Sequence, residues 1–159
     1  MDSAAFTKAL REGEAGKELA FPIAEYEARV ARVREAMEEA GLDALLVTNP
    51  PDLYYLAGYH TFSSGNHACL VLPRAGAPTL QVTSLEIPGA IVTGWVEEVA
   101  VADWHLQTDA AGQLAGIVSD KGLAEGSLGI QPAMLGLMPH LRDRLGAALP
   151  HAQLVDASE

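Results

Sequence analysis

Positive charge is scarce in this 159-residue chain: Lys and Arg number 10 against 21 Asp and Glu, for a net charge of −11. A surface of that sign repels phosphate backbones and anionic lipid, so neither nucleic acid nor a membrane surface is expected as a partner. Cysteine is scarcer still. Cys69 is the single one and sits inside an apolar run. That excludes an intrachain disulfide and a cysteine-rich zinc site, and it points to a reducing, cytoplasmic setting. No apolar run is long enough to span a bilayer, and the N-terminal MDSAAFTKALREGEAGKEL is charged where a secretory signal carries an apolar stretch. GxGxxG, P-loop, GxSxG and HExxH motifs are missing as well. With them go the commonest short signatures of dinucleotide, nucleoside triphosphate, serine-hydrolase and zinc-protease chemistry.

What is present is a globular pattern. Hydrophobic residues make up 49% of the chain and charged ones 19%, enough to bury one sizeable core in a single domain. Residues 1–20 read as an N-terminal lead-in, with a short helix over 3–12, and residues 21–159 as the domain. Tyr26, Val30, Val33 and Met37 recur at helical spacing between Pro22 and Gly41, which punctuate the start and stop of a helix. ALLVT, from Ala44, is a continuous apolar run suited to a strand covered on both faces. Pro51 to Ala57 reads as a short helix stopped at Gly58, with Tyr54 and Leu56 expected to pack it. ACLVLP and TLQVT flank the turn signal RAGA and predict a hairpin. Downstream, helical patterns at 85–93, 109–121 and 134–148 alternate with strand patterns at EEVAVAD, SLGIQ and AQLVD. The sum is an α/β fold with a mixed sheet.

Catalytic chemistry is hard to find in these residues. The five histidines, His60, His67, His105, His140 and His151, include no pair three or four apart, as ligands on one helix face would be. Asp103-Trp104-His105 offers a carboxylate and an imidazole but reads better as a polar loop with a packed Trp. Cys69 reads as a small buried hydrophobe rather than a nucleophile. Glu97 and Glu98 are adjacent, so in a strand they face opposite sides and cannot pair as acid and base. Met37, Met134 and Met138 read as core. No catalytic residue and no metal ligand is assigned. One segment differs in character. YHTFSSGNH, from Tyr59 to His67, hangs hydrogen-bonding and aromatic side chains between two buried elements, and such loops are where binding residues concentrate.

The order of these pieces resembles a known family. An amphipathic helix, Gly-Leu-Asp-Ala, an apolar strand, an Asn-Pro turn and Tyr-Leu-Ala-Gly-Tyr run through YEARVARVREAMEEAGLDALLVTNPPDLYYLAGY. ACLVLPRAGAPTLQV, LEIPGAIVTGWVEEV, GSLGIQ and MPHLRDRLGAALPHAQLVDAS follow it. Across about residues 21 to 158 the chain is similar to the N-terminal domain of the creatinase and prolidase family. That resemblance implies a mixed β-sheet flanked by helices, of the ribonuclease-H-like type. It also implies a partner outside this sequence, a C-terminal pita-bread catalytic domain carrying two divalent metal ions (Mn, Co or Zn), so this chain by itself is expected to be inactive and to hold no cofactor. The family further implies a homodimer and a peptide or small amide substrate. In related dimers the loop after the Gly-Tyr pair approaches the active site of the other subunit, which makes His60, Phe62, Asn66 and His67 the candidate substrate-access residues. Creatinases use a Phe and an Arg of this loop to hold the substrate carboxylate. The matching positions here are Ser64 and Asn66, which favours an Xaa-Pro dipeptidase or aminopeptidase over a creatinase. A free-standing binding module, a creatinase-type amidinohydrolase domain and an unrelated small enzyme using Cys69 or His105 stay open as alternatives. If a catalytic domain follows, the face lined by the last strand should be apolar.

Overall fold

A computed structural model describes residues 3–12, 16–61, 63, 65–102, 110–132 and 139–158. The order is α1 (Ser3–Glu12), α2 (Ile23–Glu39), β1 (Ala44–Val47), α3 (Pro50–Ala57), β2 (Ala68–Pro73), β3 (Thr79–Thr83) and a 3-10 turn (Ser84–Glu86). It continues through α4 (Ile87–Thr93), β4 (Glu98–Ala102), α5 (Ala110–Asp120), β5 (Ser127–Ile130), α6 (Pro139–Ala148) and β6 (Gln153–Asp156). The strands form one six-stranded mixed sheet in the order β4-β3-β2-β1-β5-β6. The hairpin runs antiparallel, Leu70 opposite Leu80, and β2 also lies antiparallel to β1. The pairs β3–β4, β1–β5 and β5–β6 are parallel.

Strand alternation sends the apolar side chains to two cores. Val47, Leu70, Leu72, Leu80 and Val82 meet α2, α3 and α4 on one face. Ala44, Leu46, Cys69, Val71, Leu128 and Ile130 meet α5 and α6 on the other. The α2 residues expected to face inward do so: Tyr26, Val30 and Met37 are buried, Val33 partly. Gly41 (φ +67°) and Gly58 (φ +71°) supply the left-handed turns that end α2 and α3. The lead-in helix α1 lies against α4, and Lys17 Nζ donates to the Gly94 carbonyl at 2.8 Å.

Candidate functional site

The described residues between Tyr59 and His67 link the end of α3 to the start of β2, and Thr61 and Asn66 among them meet Glu86 of the 3-10 turn. Gly58 launches this segment. A Cβ there would lie 2.9 Å from the Thr93 carbonyl oxygen and 3.0 Å from the Tyr26 hydroxyl, so close approach as well as the positive φ demands glycine. Tyr59 then turns inward and is 1% exposed. Its ring fills the core. Tyr54 and Tyr55 do something else. Leu56 packs inside as expected, but Tyr54 is 40% exposed, lying edge-on to the His60 ring at 5.9 Å rather than packing the helix. The eight-residue α3 buries one face only, and Leu53, Leu56 and Ala57 fill it. Tyr55 covers Arg29, whose guanidinium lies 4.5 Å from that ring and 4.4 Å from the Phe21 ring.

A buried carboxylate organises the loop. Glu86 is 1% exposed. Its Oε1 accepts from Asn66 Nδ2 at 2.7 Å and lies 2.9 Å from Thr61 Oγ1. The single Thr61 proton can serve either Glu86 or the Ser63 carbonyl, also 2.9 Å away, while Thr61 Oγ1 accepts the Ser63 N–H at 3.1 Å. The second carboxylate oxygen, Oε2, is buried without a hydrogen-bond partner among the described residues. The Tyr59 hydroxyl lies beside Thr61 and Glu86 but meets neither at hydrogen-bonding geometry. Burial pushes its pKa well above the usual phenol range, and the Glu86 charge adds to that. The His60 N–H donates to Thr93 Oγ1 at 3.1 Å. At the far end, His67 Nε2 is 2.8 Å from Oε1 of the fully buried Gln81, whose amide reaches the Ala110 carbonyl at 3.4 Å. Burial lowers the His67 pKa, and the Gln81 contact opposes it.

The structure therefore brings His60, Asn66 and His67 onto one braced loop, with His60 the exposed member. Phe62 and Ser64 lie outside the described residues, as do Asp103, Trp104, His105, Met134 and Met138. Cys69 is fully buried in the second core, and desolvation pushes its thiol pKa far up, which keeps it protonated. Among the described residues no group of three or more His, Cys, Asp or Glu side chains could hold a metal ion, and no helix is long and apolar enough to cross a membrane. Glu86 and Gln81 were missed by the sequence reading. Each is a polar residue set in an apolar stretch, LEIPGAIV and TLQVT, and that placement is the signal that could have found them.

A six-stranded mixed sheet with a core on each face, and a polar loop held by buried Glu86 and Gln81, defines an α/β domain. The chain belongs to the creatinase/prolidase N-terminal domain family, whose model matches residues 29–159. It is 28% identical over 149 residues to the ectoine hydrolase of Halomonas elongata, covering 88% of this chain and 37% of that protein. It is 32% identical over 122 residues to the probable dipeptidase PepE of Mycobacterium tuberculosis, covering 76% of this chain and 32% of the relative. The chain thus spans about a third of the length of these curated relatives. The N-terminal domain of an X-Pro dipeptidase from Streptococcus pyogenes superposes with a TM-score of 0.68 at 14% identity. It covers 82% of this chain and 94% of its own, a likeness of fold.

Proposed function

We propose that this chain is the non-catalytic first domain of a metal-dependent Xaa-Pro dipeptidase or aminopeptidase-like hydrolase, and that the loop from His60 to His67 shapes access to the active site of a neighbouring subunit. The observation that carries the reading is the bracing of the loop. Asn66 is held on Glu86, His67 on Gln81 and the His60 backbone on Thr93. Binding surfaces gain from being held in place before the ligand arrives, because less conformational entropy is then lost on contact. His60 is left exposed, and a neutral imidazole offers a donor and an acceptor to a peptide terminus. His67 spends its Nε2 on Gln81, so its part is to hold the end of the loop.

The two metal ions and the pita-bread domain belong to this proposal. The described residues offer no cluster that fits a metal, so no chemical step is assigned to this chain. Similarity to an ectoine hydrolase supports a second reading, a hydrolase of small non-peptide amides. Steady-state kinetics on Xaa-Pro dipeptides, with the longer protein, separates the two. His60→Ala should lower kcat/KM by roughly ten- to a hundredfold, the worth of about 1.5–3 kcal/mol for one hydrogen bond to a charged group, with metal content unchanged. Activity on small amides with none on Xaa-Pro dipeptides would select the second reading, and a mutant within twofold of wild type would reduce the loop to a connection.

A further inference from the structure

The sheet is not covered evenly. On the face served by α2, α3 and α4, residues of β5 and β6 line an open groove of about 660 Å³. Leu45, Gly129 and Val155 make its floor and Val33 and Ala36 of α2 its wall. Val155 is 37% exposed, a large apolar side chain open to the groove. Gly129 keeps the floor low: a Cβ there would lie 2.5 Å from Leu45 Cδ2 and 3.0 Å from the Ala157 Cβ. One end of the groove is polar and acidic. Asp52 Oδ2 accepts from Gln131 Nε2 at 2.7 Å, Gln131 Oε1 is buried without a partner among the described residues, and Asp156 stands at the mouth. Among the described residues no Lys, Arg or His lines it. The chain itself leads in, for Ala157 donates its N–H to the Ile130 carbonyl at 2.8 Å and Ala157 and Ser158 line the groove.

We propose that this groove seats the polypeptide following β6 in the longer protein, as an amphipathic helix with apolar side chains on Leu45 and Val155 and a Lys or Arg reaching Asp52 and Asp156. The inference rests on the reading of the chain as a first domain. Three arguments choose this occupant. A parallel strand of an α/β sheet leads into a helix, as β4 leads to α5 and β5 to α6, and the face of α5 and α6 is already filled. A segment laid on an apolar floor must satisfy its own backbone hydrogen bonds, which a helix does. A tethered segment also meets the groove at an effective concentration of order millimolar, which a free partner does not match.

Thiol labelling reads the occupancy without any substrate. Val155→Cys and, separately, Ala36→Cys are placed in the 159-residue chain and in the longer protein, with buried Cys69 as the silent background. Maleimide should react readily with both thiols in the short chain. In the longer protein both rates should fall by at least about tenfold, equivalent to about 1.4 kcal/mol of coverage. A photocrosslinker on either thiol should capture the segment immediately after Glu159. Equal rates in the two proteins would overturn the proposal. So would protection in the short chain that grows with concentration, which marks a second copy, or crosslinks confined to a distant part of the longer chain. Failure of the longer protein to cleave Xaa-Pro substrates would count against the assigned reaction and leave the labelling result standing.

Discussion

Glu86 shows what one carboxylate can organise when it is buried. Its Oε1 holds Asn66 and stands within reach of Thr61, so two ends of one loop converge on a single acceptor. Glu86→Ala leaves the Asn66 amide and the Thr61 hydroxyl without that acceptor, and each unsatisfied buried group costs about 1–3 kcal/mol. The expected result is a lower urea midpoint together with faster amide exchange between residues 60 and 67, whereas Glu86→Gln, which keeps an acceptor in place, should lose less. Gly58→Ala should also destabilise, by about 1–2 kcal/mol for the left-handed conformation alone, with the contact to the Thr93 carbonyl added. His67 gives a pH dependence. Its native pKa is lowered by burial below the ordinary 6.5. As pH falls through 6.5 the unfolded chain therefore takes up a proton that the native state refuses. Stability from this group is complete above that pH and declines below it, by at most about 1.4 kcal/mol per pH unit, until the native imidazole also protonates. Urea titrations from pH 7.5 downward should show wild type losing stability relative to His67→Gln; parallel curves would remove His67 from the account.

Among the elements, those built on local patterns were legible and those built on distant ones were not. Tyr26, Val30 and Met37 at helical spacing announced α2, and RAGA between two apolar runs announced the β2–β3 hairpin. LEIPGAIV, interrupted by Pro88 and Gly89, resolves into a 3-10 turn and then α4, because proline near a helix start loses no hydrogen bond the helix would have made. Strand order was another matter. That β1 pairs with β5 across more than eighty residues depends on α5 and α6 packing together on the far face, a long-range property no short window carries. Part of the site was legible for the same reason: the loop showed as a polar run, while its braces, Glu86 and Gln81, lie twenty and fourteen residues away from the Asn66 and His67 they hold. The α2–α3 junction carries a test of how aromatic residues hold a helix pair. Arg29 bonds Glu25 Oε1 at 3.0 Å and the Tyr55 carbonyl at 3.1 Å, flanked by the Phe21 and Tyr55 rings. Arg29→Lys keeps the charge and gives up the flat guanidinium that bonds and stacks at once, so about 1.5–3 kcal/mol should be lost. Thermal melting should fall by roughly 2–4 °C for each kcal/mol in a chain of this size. An unchanged melting temperature would show that neither the fork of hydrogen bonds nor its stacking on the rings holds α3 on α2.

For the whole molecule, the question is whether this fold can do chemistry alone. Hydrolysis by a two-metal route needs several carboxylates and imidazoles converging within a few ångströms, and the described residues contain no such group. Among the described residues of the loop, Glu86 Oε1 is taken by Asn66 and Thr61 and His67 Nε2 by Gln81, which leaves Glu86 Oε2 and the His60 ring, too few groups for such a centre. Cys69 sits protonated in a closed core and faces no solvent. The net charge of −11 attracts cations diffusely, but scattered surface carboxylates give weak, salt-sensitive association rather than a site. The 159-residue chain should therefore bind no Mn2+, Co2+ or Zn2+ with stoichiometric, micromolar affinity and release no proline from an Xaa-Pro dipeptide, whereas the proposed function expects both of a protein that joins it to a catalytic domain. Calorimetric titration of each metal into the short chain, at physiological salt to suppress the diffuse term, is the measurement. One saturable site of micromolar affinity or better would mean that the ligands lie in this domain after all, and would move the catalytic assignment onto it.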